Sequence, residues 1–255
     1  MQRNGLPDRR REKKIGTWVY GISGFILLSM FIVPLYLDEG TVPKLSGKAN
    51  AFDYATHDSW GNVQDGPQET QFGSVGHNQS EYGTFAWTDL DPYAAFIYAF
   101  GDLNCHNKAE RSWSINGNQM PMCVRDVGIF FGLALGGYVF SRRGINRWTV
   151  RDTFLSMFPD DRVEFIYKND YRLKSMFALL AICAVPMAID GFSQMLLTSY
   201  ESNAFMRLVT GIPFGLFIGA YIGAGFSAKP SGFDMKASKV VLPLGCSFTI
   251  VSEEE

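Results

Sequence analysis

The stretch MRLVTGIPFGLFIGAYIGAGF, residues 206–226, decides the class of this chain. Apart from Arg207 and Thr210 it is apolar, and at about 1.5 Å per residue it is long enough to cross a hydrocarbon core of about 30 Å. Gly211, Gly215, Gly219 and Gly223 recur every fourth residue, which places them on one slowly drifting helix face. Such a face lets another backbone approach closely and gain dispersion contacts that lipid cannot supply. A second stretch carries the same signature: in Val124 to Phe140, Gly128, Gly132 and Gly136 are spaced by four, and Arg142, Arg143 and Arg147 follow. These two segments are the pair expected in contact, and the same stripes could join a second copy or a partner membrane protein.

Two further spans complete the set. Residues 15–37 are almost purely apolar and read as an uncleaved anchor rather than a signal peptide, because the run is long and no small-x-small cleavage site follows Pro34. SMFALLAICAVPMAI, residues 175–189, forms another. The expected fold is therefore an all-α polytopic membrane protein with about four transmembrane helices, near 15–37, 124–140, 175–189 and 206–226. Pro92 to Leu103 is apolar with Pro at a first helical position but would reach only about 18 Å. It reads as a short re-entrant or interfacial helix.

Charge orients the spans. Residues 1–14 form a basic leader with Arg3, Arg9, Arg10, Arg11, Lys13 and Lys14, expected to be disordered and cytoplasmic. Residues 38–91 are acidic and punctuated by Gly, Asn, Ser and Gln, as suits an extracellular loop. They lack the spacing of an EF-hand, and Asn78-Gln79-Ser80 fits a glycosylation acceptor. The Arg- and Lys-rich segment from Ser141 to Lys174 belongs inside, as a solvated, surface-hugging connector. Lys229, Lys236 and Lys239 put the tail, residues 229–255, inside as well, with VVLPLGCSFTIV as an interfacial or strand-like piece. Both termini are then cytoplasmic, and residues 92–228 make up the membrane domain. A net charge of -2 over 255 residues gives no reason to expect nucleic acid as a partner; the lipid bilayer is the expected one.

This topology gathers soft ligands on one side. Cys105, His106, Cys123 and Asp126 could converge on zinc or another transition metal, with Cys123-x-x-Asp126 at a helix start and Cys105-His106 on the preceding loop. The same two cysteines could form a disulfide in an oxidising exterior, or remain free thiols. Four cysteines in all are too few for a disulfide scaffold, and Cys183, inside a span, reads as an apolar filler. Arg125, Asp190 and Arg207 sit at the outer ends of three spans, where ionisable groups are costly unless paired or facing a wet cavity. They read either as a structural ion-pair network or, with Arg111, as a pocket for an anionic group.

The motifs C-H-N-x-x-x-R-S-W from Cys105, P-x-C-x-R-D-x-G-I-F-F-G from Pro121, I-D-G-F-S-Q from Ile189 and E-S-N-x-x-x-R-x-x-T-G from Glu201 occur in this order. Over roughly Tyr98 to Phe226 the chain resembles a family of small integral membrane proteins of unknown function found in archaea and bacteria. That resemblance implies a prokaryotic plasma membrane. Carried over by position, it marks Cys105, His106, Arg111, Ser112, Cys123 and Arg125. Further along it marks Gly128, Asp190, Gly191, Gln194, Glu201, Ser202, Asn203 and Arg207. Asp126 stands where the family usually has a third Cys, which turns a thiolate-rich site into a mixed one and weakens any C-x-x-C redox mechanism. The leading expectation is a binding, accessory or structural membrane component whose outward Cys/His/Asp site holds a metal or is locked by a disulfide. The rivals are a metal-dependent enzyme acting on an anionic substrate at the outer leaflet, and a small transporter, which few spans and no visible inverted repeat disfavour.

Overall fold

The computed structural model describes residues 8–47, 50–63, 68–70, 73–75, 79–197 and 200–234, and beyond them 236, 240, 242, 243 and 246. Asn78 of the glycosylation motif, His77 and most of the C-terminal tail, including residues 247–255, lie outside the described residues. In chain order the elements are α1 (Arg10–Tyr36), α2 (Trp60–Val63), β1 (Gln68–Thr70), β2 (Gly73–Val75), α3 (Pro92–Asn104), β3 (Ser114–Ile115) and β4 (Asn118–Gln119). Then come α4 (Val124–Arg143), α5 (Val150–Leu155), α6 (Asp160–Lys168), α7 (Arg172–Leu196) and α8 (Ala204–Ser227). Among the described residues β structure is limited to two short antiparallel pairs, β1 with β2 and β3 with β4, and an isolated bridge between Ser46 and Lys108. Among the described residues four helices, α1, α4, α7 and α8, are long and apolar enough to cross a membrane. The chain is an all-α polytopic membrane protein.

The helix bounds depart most from the sequence reading in α1 and α7. α1 begins at Arg10, so the last five residues of the basic leader are helical. α7 runs on to Leu196 through Asp190-Gly191-Phe192-Ser193-Gln194, because nothing in that polar run breaks a helix strongly enough to end it.

The chain divides into two compact units, to both of which all four long helices contribute residues. The first comprises Met1–Ser23, Phe131–Val185 and Pro213–Glu255. Its core gathers Phe140, Phe154, Leu155, Val163, Tyr167 and Phe217. The segment after α4 is thus no solvated connector. Arg147 and Asp152 in it are fully buried, and the Arg147 guanidinium donates to Tyr167 Oη at 3.0 Å and Asp160 Oδ1 at 2.9 Å. A long-side-chain network of this kind satisfies buried charge, and hydropathy alone does not reveal it. Close contact explains the glycines here: a Cβ on Gly136 would lie 2.2 Å from the Leu216 carbonyl oxygen and one on Gly219 2.3 Å from that of Leu133, both backbone, and one on Gly223 2.7 Å from the Phe140 ring. Gly132 and Gly215 are buried on the same two helices.

The second unit comprises Gly24–Phe130 and Pro186–Ile212. Here α4 and α8 meet again, with a Cβ on Gly128 falling 2.6 Å from Leu208 O and one on Gly211 2.6 Å from Arg125 O. Part of the acidic loop folds into this unit. Val42, Leu45, Tyr54 and Phe85 pack with Ile97, Tyr98, Met120 and Met122, and buried Asp102 accepts from Tyr54 N and Trp87 Nε1, both at 3.0 Å. α3 starts on a complete cap: the Asp91 carboxylate accepts from Tyr93 N at 3.0 Å and Ala94 N at 3.2 Å, and Pro92 holds the first helical position.

Candidate functional site

Three devices in the second unit bring the candidate ligands together. The first is a close approach: a Cβ on Gly101 would fall 2.0 Å from the Pro121 carbonyl oxygen, so α3 rests directly on the chain entering α4. Cys105 follows, its N–H donating to Gly101 O at 2.8 Å, and Cys123 lies two residues past Pro121. The second is the turn Asn116-Gly117, with φ of 52° and 72°, which closes β3 on β4 as the Asn-Gly pair of a two-residue hairpin. The third is a pair of buried amides after that turn. Gln119 Nε2 donates to Asn107 O at 3.0 Å while its Oε1 accepts from Leu45 N at 2.8 Å; Asn118 Oδ1 accepts from Val42 N at 2.8 Å. Neither the hairpin nor these amides figure in the reading of the sequence, although the Asn-Gly dipeptide was a signal for the first.

Within this frame Cys105, Cys123 and Asp126 each present a ligand atom, all within 4.8 Å of one another. Cys105 is 4% exposed and the other two are half-buried. Cys123 N–H donates to Cys105 Sγ at 3.2 Å, and the Cys123 thiol donates to Asp126 Oδ2 at 3.1 Å. Both cysteines are free thiols, as are Cys183 and Cys246. The hydrogen bond with Cys123, burial, and the Cys123 and Asp126 charges together push the Cys105 thiol well above its ordinary range. His106 does not join this cluster; its side chain is exposed, though it lines the same cavity. Being next to Cys105 in sequence does not aim its ring the same way, because the chain is extended at Cys105 and successive side chains diverge.

The polar residues divide into cations on the cavity and the groups that hold them. Arg111, Arg125 and Arg207 line a cavity of about 110 Å³ beside the thiols, together with Lys108. Arg125 is ion-paired with Asp190. Asp190, 4% exposed, also accepts from Tyr200 Oη at 2.9 Å and from Gln194 Nε2 at 3.2 Å. Arg207, 2% exposed, donates from Nε to Ser202 O and from Nη2 to Gln194 Oε1, both at 2.9 Å, with Glu201 4.0 Å away. Asp190, Gln194 and Glu201 therefore brace the arginines rather than line the cavity. Ser112 faces a separate hollow with Lys44, Tyr82 and Trp113, its hydroxyl bonded to Lys108 O at 3.2 Å. Lys108 is the cavity cation that the motifs did not single out.

Fold and site together define a polytopic membrane protein carrying a thiol and carboxylate cluster ringed by cations. Residues 105–221 match the model of a family described as "Predicted membrane protein (DUF2085)". The match establishes the resemblance read from the sequence, to membrane proteins of unknown function. An uncharacterized protein of Methanocaldococcus jannaschii is 29% identical over 127 residues, 49% of this chain and 65% of the relative. One of Methanothermobacter thermautotrophicus is 29% identical over 112 residues, 44% of this chain and 78% of the relative. The chain thus spans 65% of the length of the first of these relatives. No solved structure matches the chain.

Proposed function

We propose that this protein holds a transition metal such as zinc at Cys105, Cys123 and Asp126, and serves in the membrane as a metal-binding or accessory component. The observation that carries the reading is the mutual approach of the three ligand atoms within 4.8 Å. Ligands on a zinc tetrahedron with bonds of about 2.0–2.3 Å stand about 3.7 Å apart, so a contraction of about 1 Å closes the site. Such a set leaves a fourth position open, and among the described residues His106 is the one imidazole on the cavity wall. The proposed orientation sets this cluster outside a prokaryotic plasma membrane with both termini in the cytoplasm. Arg142 and Arg143 at the end of α4 and the basic start of α1 support it.

Elemental analysis of protein purified without chelators tests the metal, together with thiol counting before and after reduction. One metal ion per chain, lost in Cys123→Ala, is the expected result. Absence of metal, with Cys105 and Cys123 unreactive until reduced, would replace the metal site by a disulfide, which the closeness of the two sulfurs also permits. For orientation, cysteines placed at exposed Asp58 and Arg142 are probed with an impermeant thiol reagent in whole cells. Labelling at Asp58→Cys only is expected, and labelling at Arg142→Cys only reverses the topology.

A further inference from the structure

The cavity beside the thiols holds more positive charge than its surroundings neutralise. Lys108, Arg111, Arg125 and Arg207 all line it. Three carboxylates are at hand: Asp190 pairs with Arg125, Glu201 stands 4.0 Å from Arg207 and is 65% exposed, and Asp126 takes the Cys123 thiol. Four permanent cations thus face three carboxylates before any charge on His106. A divalent metal bound by two thiolates would leave that balance unchanged.

Donors are in surplus as well. Among the described residues Arg111 makes no ion pair and no side-chain hydrogen bond, Lys108 makes no ion pair, and the buried Nε atoms of Arg111 and Arg125 have no acceptor. Leaving a charged N–H buried without an acceptor is costly, and Arg111 and Arg125 each carry one. Oriented donors around a space of about 110 Å³, several times the ~15 Å³ that one water needs, make a site for an anion larger than water.

We infer that this cavity binds a phosphoryl group. Its cations come from the loop after α3, the first turn of α4 and the first turn of α8, so they approach from different directions. A planar carboxylate matches one guanidinium fork; a tetrahedral phosphoryl group offers an oxygen to each of several. Among the described residues Asp126 is the one carboxylate on the wall, and its Oδ2 is engaged by the Cys123 thiol. A free phosphate and the headgroup of a phospholipid present this same chemistry. The inference stands on the cations alone and does not need the metal.

The test titrates the full chain in detergent with inorganic phosphate by calorimetry and, separately, with phosphatidic acid in mixed micelles. Saturable binding is expected, weakened about tenfold to a hundredfold by Arg111→Gln, the loss of a charged hydrogen-bond donor, and in the same direction by Lys108→Gln. Neither side chain makes an ion pair among the described residues, so an unchanged melting temperature is expected to accompany the loss. Binding of inorganic phosphate identifies the free anion as the source; binding of phosphatidic acid only, with the same dependence on Arg111, identifies the headgroup, and either supports the inference. No saturable binding of either probe, or binding indifferent to Arg111→Gln, overturns it. Loss of phosphate binding on stripping metal from otherwise unaltered protein would make the metal the anion's holder and overturn it too.

Discussion

Asp190→Ala is expected to destabilise the protein by about 3 kcal/mol, the low end of the range for removing one partner of a buried ion pair. The low end applies because Arg125 is 21% exposed and reaches some water, whereas Asp190 is 4% exposed. Three donors converge on that carboxylate, from Arg125, Tyr200 and Gln194, and alanine leaves all three without it. Asp190→Asn keeps one acceptor oxygen and should lose less than half as much. Pairing Asp190→Leu with Arg125→Met removes both charges at once and should recover most of the loss, since an apolar pair of similar size often matches a buried ion pair. Thermal unfolding in a single detergent measures the series. A melting curve for Asp190→Ala that overlays the parent's would show that the pair does not brace the α7 end.

Gly136→Leu should prevent the first unit from packing. An alanine Cβ at that site already meets the Leu216 carbonyl oxygen at 2.2 Å and Ala220 N at 2.8 Å, and both obstacles are backbone. Relief therefore requires α4 and α8 to separate, which forfeits the contacts that hold helices together in lipid. Overpacking costs about 1–3 kcal/mol for added methylenes in soluble cores, and a branched side chain against a helix backbone exceeds that. Gly136→Ala should fall within the range. Gly21→Ala, with nothing within 4 Å of the added Cβ, is the control and should be neutral or mildly stabilising. Detergent-extracted yield and monodispersity on size exclusion separate the three variants, and a well-folded Gly136→Leu would refute close packing at this face.

How far the sequence spoke differs by region. The spans could be read because a hydrocarbon solvent demands about twenty apolar residues per crossing, a signal that needs no knowledge of partners. Gly128, Gly136, Gly211, Gly219 and Gly223 kept their meaning, because a small residue every fourth position on a buried face has few other uses. Cys105, Cys123 and Asp126 are drawn together as the motif spacing suggested, but His106 is not, since spacing carries no information about where an exposed ring points. Other features rest on contacts distant in sequence. Arg147 in what read as a solvated stretch is buried by Tyr167 and Asp160, and Gln119 bridges Leu45 to Asn107. Charged and amide side chains of this kind look like surface in one dimension and become interior only when their partners arrive. The continuation of α7 past Asp190 belongs here too, because the polarity that suggested an end is answered by Arg125.

The contact of Gly101 with Pro121 bears on what holds the cluster together. Cys105 and Cys123 are set side by side by main chain resting on main chain, in a core that includes Tyr98, Met120 and Met122. The sulfurs do not wait for an ion to gather them. In small zinc domains the ion and the fold are one equilibrium, and a chelator unfolds the protein. Here the two would be separable: an ion bound as proposed would enter and leave a cluster whose main-chain frame is already in place.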